Sequence, residues 1–387
     1  MRHHPKRKIL YLLCILTAVL VAAGCGSAAS STDNAGAAKA DIGVSATELA
    51  KAEQVVANDE RAPSGVGVTQ PLQKPPPRGK TIGLIFSGSS VPPEDLIGLQ
   101  AATSLVGWHY KLFGTGTTAD NFQAAFAAAM ASKLSAVWVS SIDPKLWAQY
   151  GEEWNAQGIP VIDEGTPWPN SGSDFNYFPA TIAGQDYSQL MDWIAVDSKG
   201  ARVTVLIDDM PEIEVIHTSV LAMKARMLAL CPTCTVDILT TNVADIGSTL
   251  PQEVVSALLK SPSTTYFVSL STSFMQGVVP AIENAGLGSK VKVLVGSGGL
   301  PEQAELKAGN NPLAADLAFS TYYQGFICVD FAIRVMEHAS TSPDYNWRYV
   351  TRIFTPSNIS NFGQPVTQYW TGLPDSAALW AKLWDVL

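Results

Sequence analysis

Apolar residues fall along this chain in short bursts at a nearly regular interval. Thr81 to Phe86, His109 to Phe113, Ala136 to Ser140 and Pro160 to Asp163 read as strands whose starts lie 28, 27 and 24 residues apart. Between them run segments with apolar residues at helical spacing, such as Asn121 to Ala131. The rhythm restarts after Gly172. Arg202 to Ile207, Cys234 to Leu239, Thr265 to Leu270 and Val291 to Val295 form a second set, with starts 32, 31 and 26 residues apart. Short apolar strands that alternate with helices predict parallel sheets covered on both faces. Two sets of four units predict an α/β chain of two doubly wound parallel-sheet lobes rather than one barrel. Phe175 to Ala180 separates the sets as a first crossover. Ala314 to Ser320 adds a strand, Gln324 to His338 a helix and Tyr349 to Phe354 a last strand. The remainder, with Trp370, Trp380 and Trp384, reads as a tail packed over the lobes.

The N-terminal end has a different pattern. Arg2, Lys6, Arg7 and Lys8 precede an uncharged apolar stretch from Ile9 to Ala23, and small residues lead into Cys25. A basic, then apolar, then small order is that of an export signal. Small residues directly before a Cys resemble the bacterial lipoprotein box, in which that Cys is diacylated and becomes the mature N-terminus. Residues 1–24 are therefore expected as a lipoprotein signal peptide, with Cys25 as the lipidation site and the chain held on the extracytoplasmic face of the cell membrane. Residues 25–80 are expected as a lipid-anchored flexible and Pro-rich tether. Gly26 to Ala40 is rich in Ala, Gly and Ser. Ser45-Ala46-Thr47-Glu48 reads as a capping box that opens a helix to about Asn58. Pro63, Pro71 and Pro75-Pro76-Pro77 make a stiffer extended spacer.

Composition narrows the function classes. With 47% hydrophobic and 15% charged residues, the chain is too apolar for a disordered protein. Its 25 Lys+Arg against 34 Asp+Glu give a net charge of −9, which argues against a nucleic-acid partner. Loss of residues 1–24, which carry four basic and no acidic residues, takes the charge to −13. Such a surface does not adhere to anionic lipid by its own charge. The only apolar run able to enter a membrane lies at the N-terminus, so a polytopic membrane protein is excluded.

Several constellations hint at chemistry. Cys231-Pro-Thr-Cys234 has the spacing of a redox motif or half a zinc site. A reactive thiolate sits at a helix N-terminus, whereas this pair follows a helix and precedes a strand. The other candidate zinc ligands, Cys328, His109, His217 and His338, are widely scattered. A structural disulfide between Cys231 and Cys234 is expected in an exported chain, with no metal. Gly114-Thr-Gly116-Thr-Thr-Ala119 matches a dinucleotide fingerprint but follows the second strand, not the first, so no cofactor is expected. Glu164, Asp208, Asp209 and Glu212 could pair as acids like those of a glycosidase, or serve as ligand acceptors, or line a solvated rim.

A set of phrases runs in order through the body: Lys80-Thr-Ile-Gly-Leu-Ile-Phe86, Gly158-Ile-Pro-Val-Ile162, Tyr266-Phe-Val268, Val295-Gly-Ser-Gly-Gly-Leu-Pro301, Leu317-Ala318 and Gln324-Gly325. With these the chain resembles the type I periplasmic solute-binding proteins of ABC importers, the ribose-binding-protein-like group, over Lys80 to Thr355. The resemblance implies two lobes joined by a multi-segment hinge, a ligand cleft between them, no enzymatic activity, and delivery of a small solute to an ABC transporter permease. It assigns residues 81–177 plus 298–346 to one lobe, 178–297 plus 347–356 to the other, and 357–387 to a C-terminal tail. The protein is expected to be a monomer.

In open α/β sheets, ligands sit beyond the carboxyl ends of the strands. The candidate ligand contacts are thus Ser87, Ser89, Glu164, Thr166 and Trp168 in the first lobe. Met210, Glu212, Ser271, Phe274, Ser297 and Phe319 are those of the second. Sugar binders of this family carry charged or amide side chains where this sequence has Gly165 and Thr166, Ile216 or His217, Ser271, Gly298 and Phe319. No Arg stands in any of these loops. Without a guanidinium fork for sugar hydroxyls, the expected ligand is less polar, or has one apolar face. Trp168 would stack on it or pack its own loop, while Trp138 and Trp193 are expected in the core. Three functions stay open: transport, ligand sensing by the same fold without a permease, and a secreted hydrolase.

Overall fold

The computed structural model describes residues 43–86, 93–114, 116, 118–140, 142–164, 187–339, 350–362 and 368–386. Residues 1–42, Cys25 among them, lie outside that set.

The first sheet is built from β1 (Thr81–Phe86), β2 (His109–Phe113), β3 (Ala136–Ser140) and β4 (Val161–Glu164) in the order β2-β1-β3-β4, all parallel. Helices α2 (Pro93–Val106), α3 (Ala119–Met130) and α4 (Ala148–Ala156) connect them. Both faces of this sheet are covered, as continuous apolar strands require. In β3, Ala136 and Trp138 point into one hydrophobic cluster, while Val137 and Val139 join a second with Phe122, Phe126, Trp147 and Trp154.

The second sheet has the order β10-β9-β8-β7-β5-β6. Its strands are β5 (Thr204–Asp209), β6 (Thr235–Thr240), β7 (Thr264–Ser269), β8 (Lys292–Gly296), β9 (Leu313–Phe319) and β10 (Thr351–Phe354), and only the last is antiparallel to its neighbour. Its helices are α5 (Gln189–Asp197), α6 (Glu214–Leu230), α7 (Leu250–Lys260), α8 (Val278–Asn284) and α9 (Leu300–Ala308). Every expected strand is present, with ends shifted by no more than two residues. Trp138 and Trp193 are buried as expected. Cys231 and Cys234 form a disulfide, and Cys328 is a buried free thiol.

One lobe boundary is corrected. Residues 298–319 belong with the second sheet, because β9 pairs in parallel with β8 from Val293↔Leu313 to Gly296↔Leu317. The chain then leaves for the first lobe through α10 (Thr321–Met336), which Ser320 caps by accepting from the Tyr323 amide at 3.2 Å. Helix α10 lies backbone against backbone on α2. A Cβ on Gly325 would collide with the Leu99 amide, and one on Gly98 with the Tyr322 carbonyl.

The expected tether is corrected as well. From Gly43 to Lys80 the chain is docked, not free, because its apolar residues Val44, Ala52, Val56, Val66, Val68 and Leu72 are all buried. Helix α1 (Ala46–Asp59), capped by Ser45, packs on α5, and the Val44 amide donates to the Gly200 carbonyl at 2.9 Å. Arg352 of β10 donates from Nε to the Glu60 carbonyl at 2.9 Å, in the second lobe. Further along, Arg334 of α10 donates to the Gln70 carbonyl and Trp108 Nε1 to the Pro77 carbonyl, in the first lobe. Residues 43–80 are thus a strap across both lobes. At the other terminus, Trp380 of α11 (Ser376–Leu383) and Trp384, which follows that helix, are fully buried against Phe326 of α10.

Candidate ligand-binding site

A cavity of about 610 Å³ opens at the carboxyl ends of β7, β8 and β9. A larger hollow of about 1020 Å³ lies where Lys80 precedes β1 and α10 ends, at the amino ends of the first sheet. Open parallel sheets take their ligands at the carboxyl ends, where the loops diverge, so the smaller cavity is the candidate. The loop after β7 supplies Ser271, Thr272 and Ser273, and Ser271 caps its single 3-10 turn by accepting from the Ser273 amide at 3.2 Å. The loop after β8 supplies Ser297, Gly298 and Gly299, the end of β9 supplies Phe319, and α9 and α10 supply Gln303 and Thr321. Tyr369 and Trp370 complete the lining. None of these described residues is charged.

The loop after β8 is held from several sides. Ser297 adopts φ 54°, a left-handed conformation that costs a non-glycine residue about 1–3 kcal/mol and persists only where surroundings enforce it. The enforcing contacts are the Leu317 carbonyl, which accepts from the Ser297 amide at 2.9 Å, and Tyr187, whose hydroxyl lies 2.6 Å from Ser297 Oγ. The Tyr187 ring in turn leans on Phe319 with centroids 4.9 Å apart. Gly298 donates its amide to Asp316 Oδ1 at 3.0 Å, and a Cβ at 298 would collide with that carboxyl. The Gly299 amide and Thr272 Oγ1 both donate to Glu302 Oε2 at the start of α9.

Two acidic groups lie beneath these loops. Burial pushes the Asp316 carboxyl well above its ordinary range, and the charge of Glu302 adds to the push. Burial also raises Glu302. At the carboxyl end of β5, burial raises Asp208 to about 6, although Thr241 Oγ1 donates to its Oδ1 at 2.7 Å and Ser269 lies 3.4 Å from Oδ2. Next to it, Asp209 Oδ2 lies 2.9 Å from His217 Nδ1. Among the described residues, no group of three or more His, Cys, Asp and Glu side chains stands ready for a metal ion.

Residues 93–340 match the periplasmic binding protein domain family. The chain belongs to this family. Solved structures share the two-lobe fold of a periplasmic binding protein. One is a 5-methylthioribose transporter solute-binding protein from Thermotoga lettingae TMO, in complex with 5-methylthioribose. It superposes with TM-score 0.64 at 14% identity, over 79% of this chain and 99% of its own. A carbohydrate transporter protein from Acidothermus cellulolyticus 11B, in complex with myo-inositol, gives 0.60 at 18% identity over 75% and 100%. A putative LacI transcriptional regulator from Bacteroides fragilis gives 0.60 at 12% identity over 73% and 99%. No curated protein sequence matches the chain significantly.

Within this periplasmic binding protein, the structure brings three expected ligand residues, Ser271, Ser297 and Phe319, to one cavity. Glu164 ends β4 and accepts a hydrogen bond from Ser140 Oγ. Glu212 does not line the cavity: its Oε2 accepts from the Val243 amide at 2.6 Å. Met210 and Phe274, expected at the cleft, are 0% and 6% exposed and belong to the hydrophobic core. Ser87, Ser89, Thr166 and Trp168 lie outside the described residues. Sequence reasoning missed Gln303, Tyr369 and Trp370. The adjacent aromatic pair in a polar tail was the available signal for the last two.

Proposed function

We propose that this protein is an extracytoplasmic solute-binding lipoprotein. It captures a small sugar, polyol or sugar-like solute by closure of its lobes and delivers it to an ABC import permease. The observation that carries this reading is the cavity beyond β7, β8 and β9, whose described lining is made of hydroxyls, an amide and aromatic rings and includes no charged side chain. Such a lining suits a neutral ligand with hydroxyl groups and an apolar face, and offers no fixed charge for an ionic one. The disulfide fits an oxidising compartment. The sequence before Cys25 supports a lipid anchor. Among the described residues no helix is long and apolar enough to cross a membrane, and acylation at Cys25 would hold the monomeric body at the surface.

The deciding experiment is a thermal-shift screen of residues 26–387 with D-ribose, L-arabinose, D-glucose, D-galactose, myo-inositol and 5-methylthioribose. A binder present at a hundred times its Kd stabilises by about 2.7 kcal/mol. Stabilisation by none of the six contradicts the reading. A ligand-sensing receptor without a permease is the second reading, favoured by the likeness to a regulator of the same fold. Loss of uptake of the bound sugar in cells that lack the protein separates transport from sensing.

A further inference from the structure

The C-terminal tail passes directly beside the cavity, and it is held at both ends. On the second-lobe side, Trp370 sets its ring edge-on against Phe354 of β10, with centroids 5.2 Å apart at 86°, and Phe362 packs on the same ring at 5.0 Å. Gly372 then turns the chain with φ 79°, so close to the hinge that a Cβ there would press on Ser320 and Val350. On the first-lobe side, Trp380 and Trp384 stack on Phe326 at 6.1 and 6.0 Å. The segment between is thus held at both ends, and Tyr369 and Trp370 at its second-lobe end line the cavity together with Phe319. Hydroxyls of Ser271, Ser297 and Thr321 supply the polar part of the same lining.

We propose that Tyr369 and Trp370 act as a specificity wall for the bound ligand, selecting solutes with an apolar face or alkyl substituent over fully hydroxylated ones. This inference rests on the reading that the cavity is the ligand site. Aromatic rings bury C–H surface well and lose little freedom on doing so, whereas they leave a facing hydroxyl without a partner. Trp370 is 6% exposed, so its ring is already fixed by Phe354 before a ligand arrives. Tyr369 is half-buried beside it. Position 319 and the tail together place rings in a cavity whose described lining includes no guanidinium to read hydroxyl geometry.

The test compares D-ribose with 5-methylthioribose, which differs by an alkylthio group in place of a hydroxyl, by calorimetric titration of residues 26–387. Wild type is expected to bind 5-methylthioribose at least tenfold more tightly than ribose. Tyr369→Ala is expected to reduce that ratio at least fivefold, and Tyr369→Phe to keep it. Trp370→Phe, which preserves a ring against Phe354, is expected to keep most of it. A wild type that binds sugars of the screen but does not favour 5-methylthioribose overturns the wall and leaves the site standing. A ratio unchanged in Tyr369→Ala does the same. Binding of no sugar of the screen to wild type overturns the site reading and the wall together.

Discussion

Arg334, buried in α10, donates from Nη2 to the backbone carbonyl of Gln70 at 2.7 Å. Its Nε donates to Asp330 Oδ2 at 2.8 Å, and Asp330 Oδ1 accepts from Trp384 Nε1 at 2.8 Å. One buried ion pair thereby joins the N-terminal strap, a helix of the first lobe and the C-terminal tail. Both partners are almost fully enclosed, so the pair is sustained by these extra hydrogen bonds as well as by its own attraction. The Leu72 amide adds a bond to the Leu383 carbonyl at 2.8 Å, strap to tail.

The docked strap predicts that Leu72→Ala destabilises the body by about 2–4 kcal/mol, the cost of deleting a buried leucine. Urea denaturation of residues 26–387 measures it. A change below about 0.5 kcal/mol would mean that the segment behaves as a spacer in solution.

Asp208 predicts a pH dependence. Its folded pKa of about 6 lies above the ordinary value of 3.8, so the folded state holds this proton longer than the unfolded chain. Stability from this group is full below about pH 4 and falls as pH rises towards 6. The loss reaches about 3 kcal/mol at most. Asp208→Asn keeps an acceptor for Thr241 and removes the titration. The stability difference between the variant and wild type should therefore widen in favour of the variant from pH 4 to pH 7. A difference that stays constant across that range contradicts the assignment.

Thiol titration checks the cysteines. Residues 26–387 should show one reactive thiol when denatured without reductant, from Cys328, and three after reduction. In the native state Cys328 should react slowly, because it is buried and its thiol is pushed well up by that burial. Three thiols before reduction would rule out the disulfide.

The strands were legible because a parallel strand covered on both faces must be largely apolar, as Ala136 to Val139 is. What a strand pairs with is not written locally. Nothing in Leu313 to Phe319 says that β8 is its neighbour, so its lobe emerged only from the register. The strap was misread because Pro63, Pro71 and Pro75-Pro76-Pro77 read as a stiff spacer, while apolar residues such as Val66 and Leu72 are spaced without helical or strand periodicity. Ser271, Ser297 and Phe319 were found by a rule about strand ends. Tyr369 and Trp370 reach the same cavity from a distant segment, which no strand-end rule covers.

The central claim is that the cavity beyond β7, β8 and β9 holds the ligand. Ser273 is exposed at that cavity, so a larger side chain there fills the opening without disturbing the core. The decisive measurement is the Kd of the tightest-binding sugar of the screen for wild type and for Ser273→Trp, with the unliganded thermal midpoints compared in parallel. The account predicts at least tenfold weaker binding by Ser273→Trp at an unchanged midpoint. Equal affinity in the two proteins would place the ligand elsewhere and contradict it.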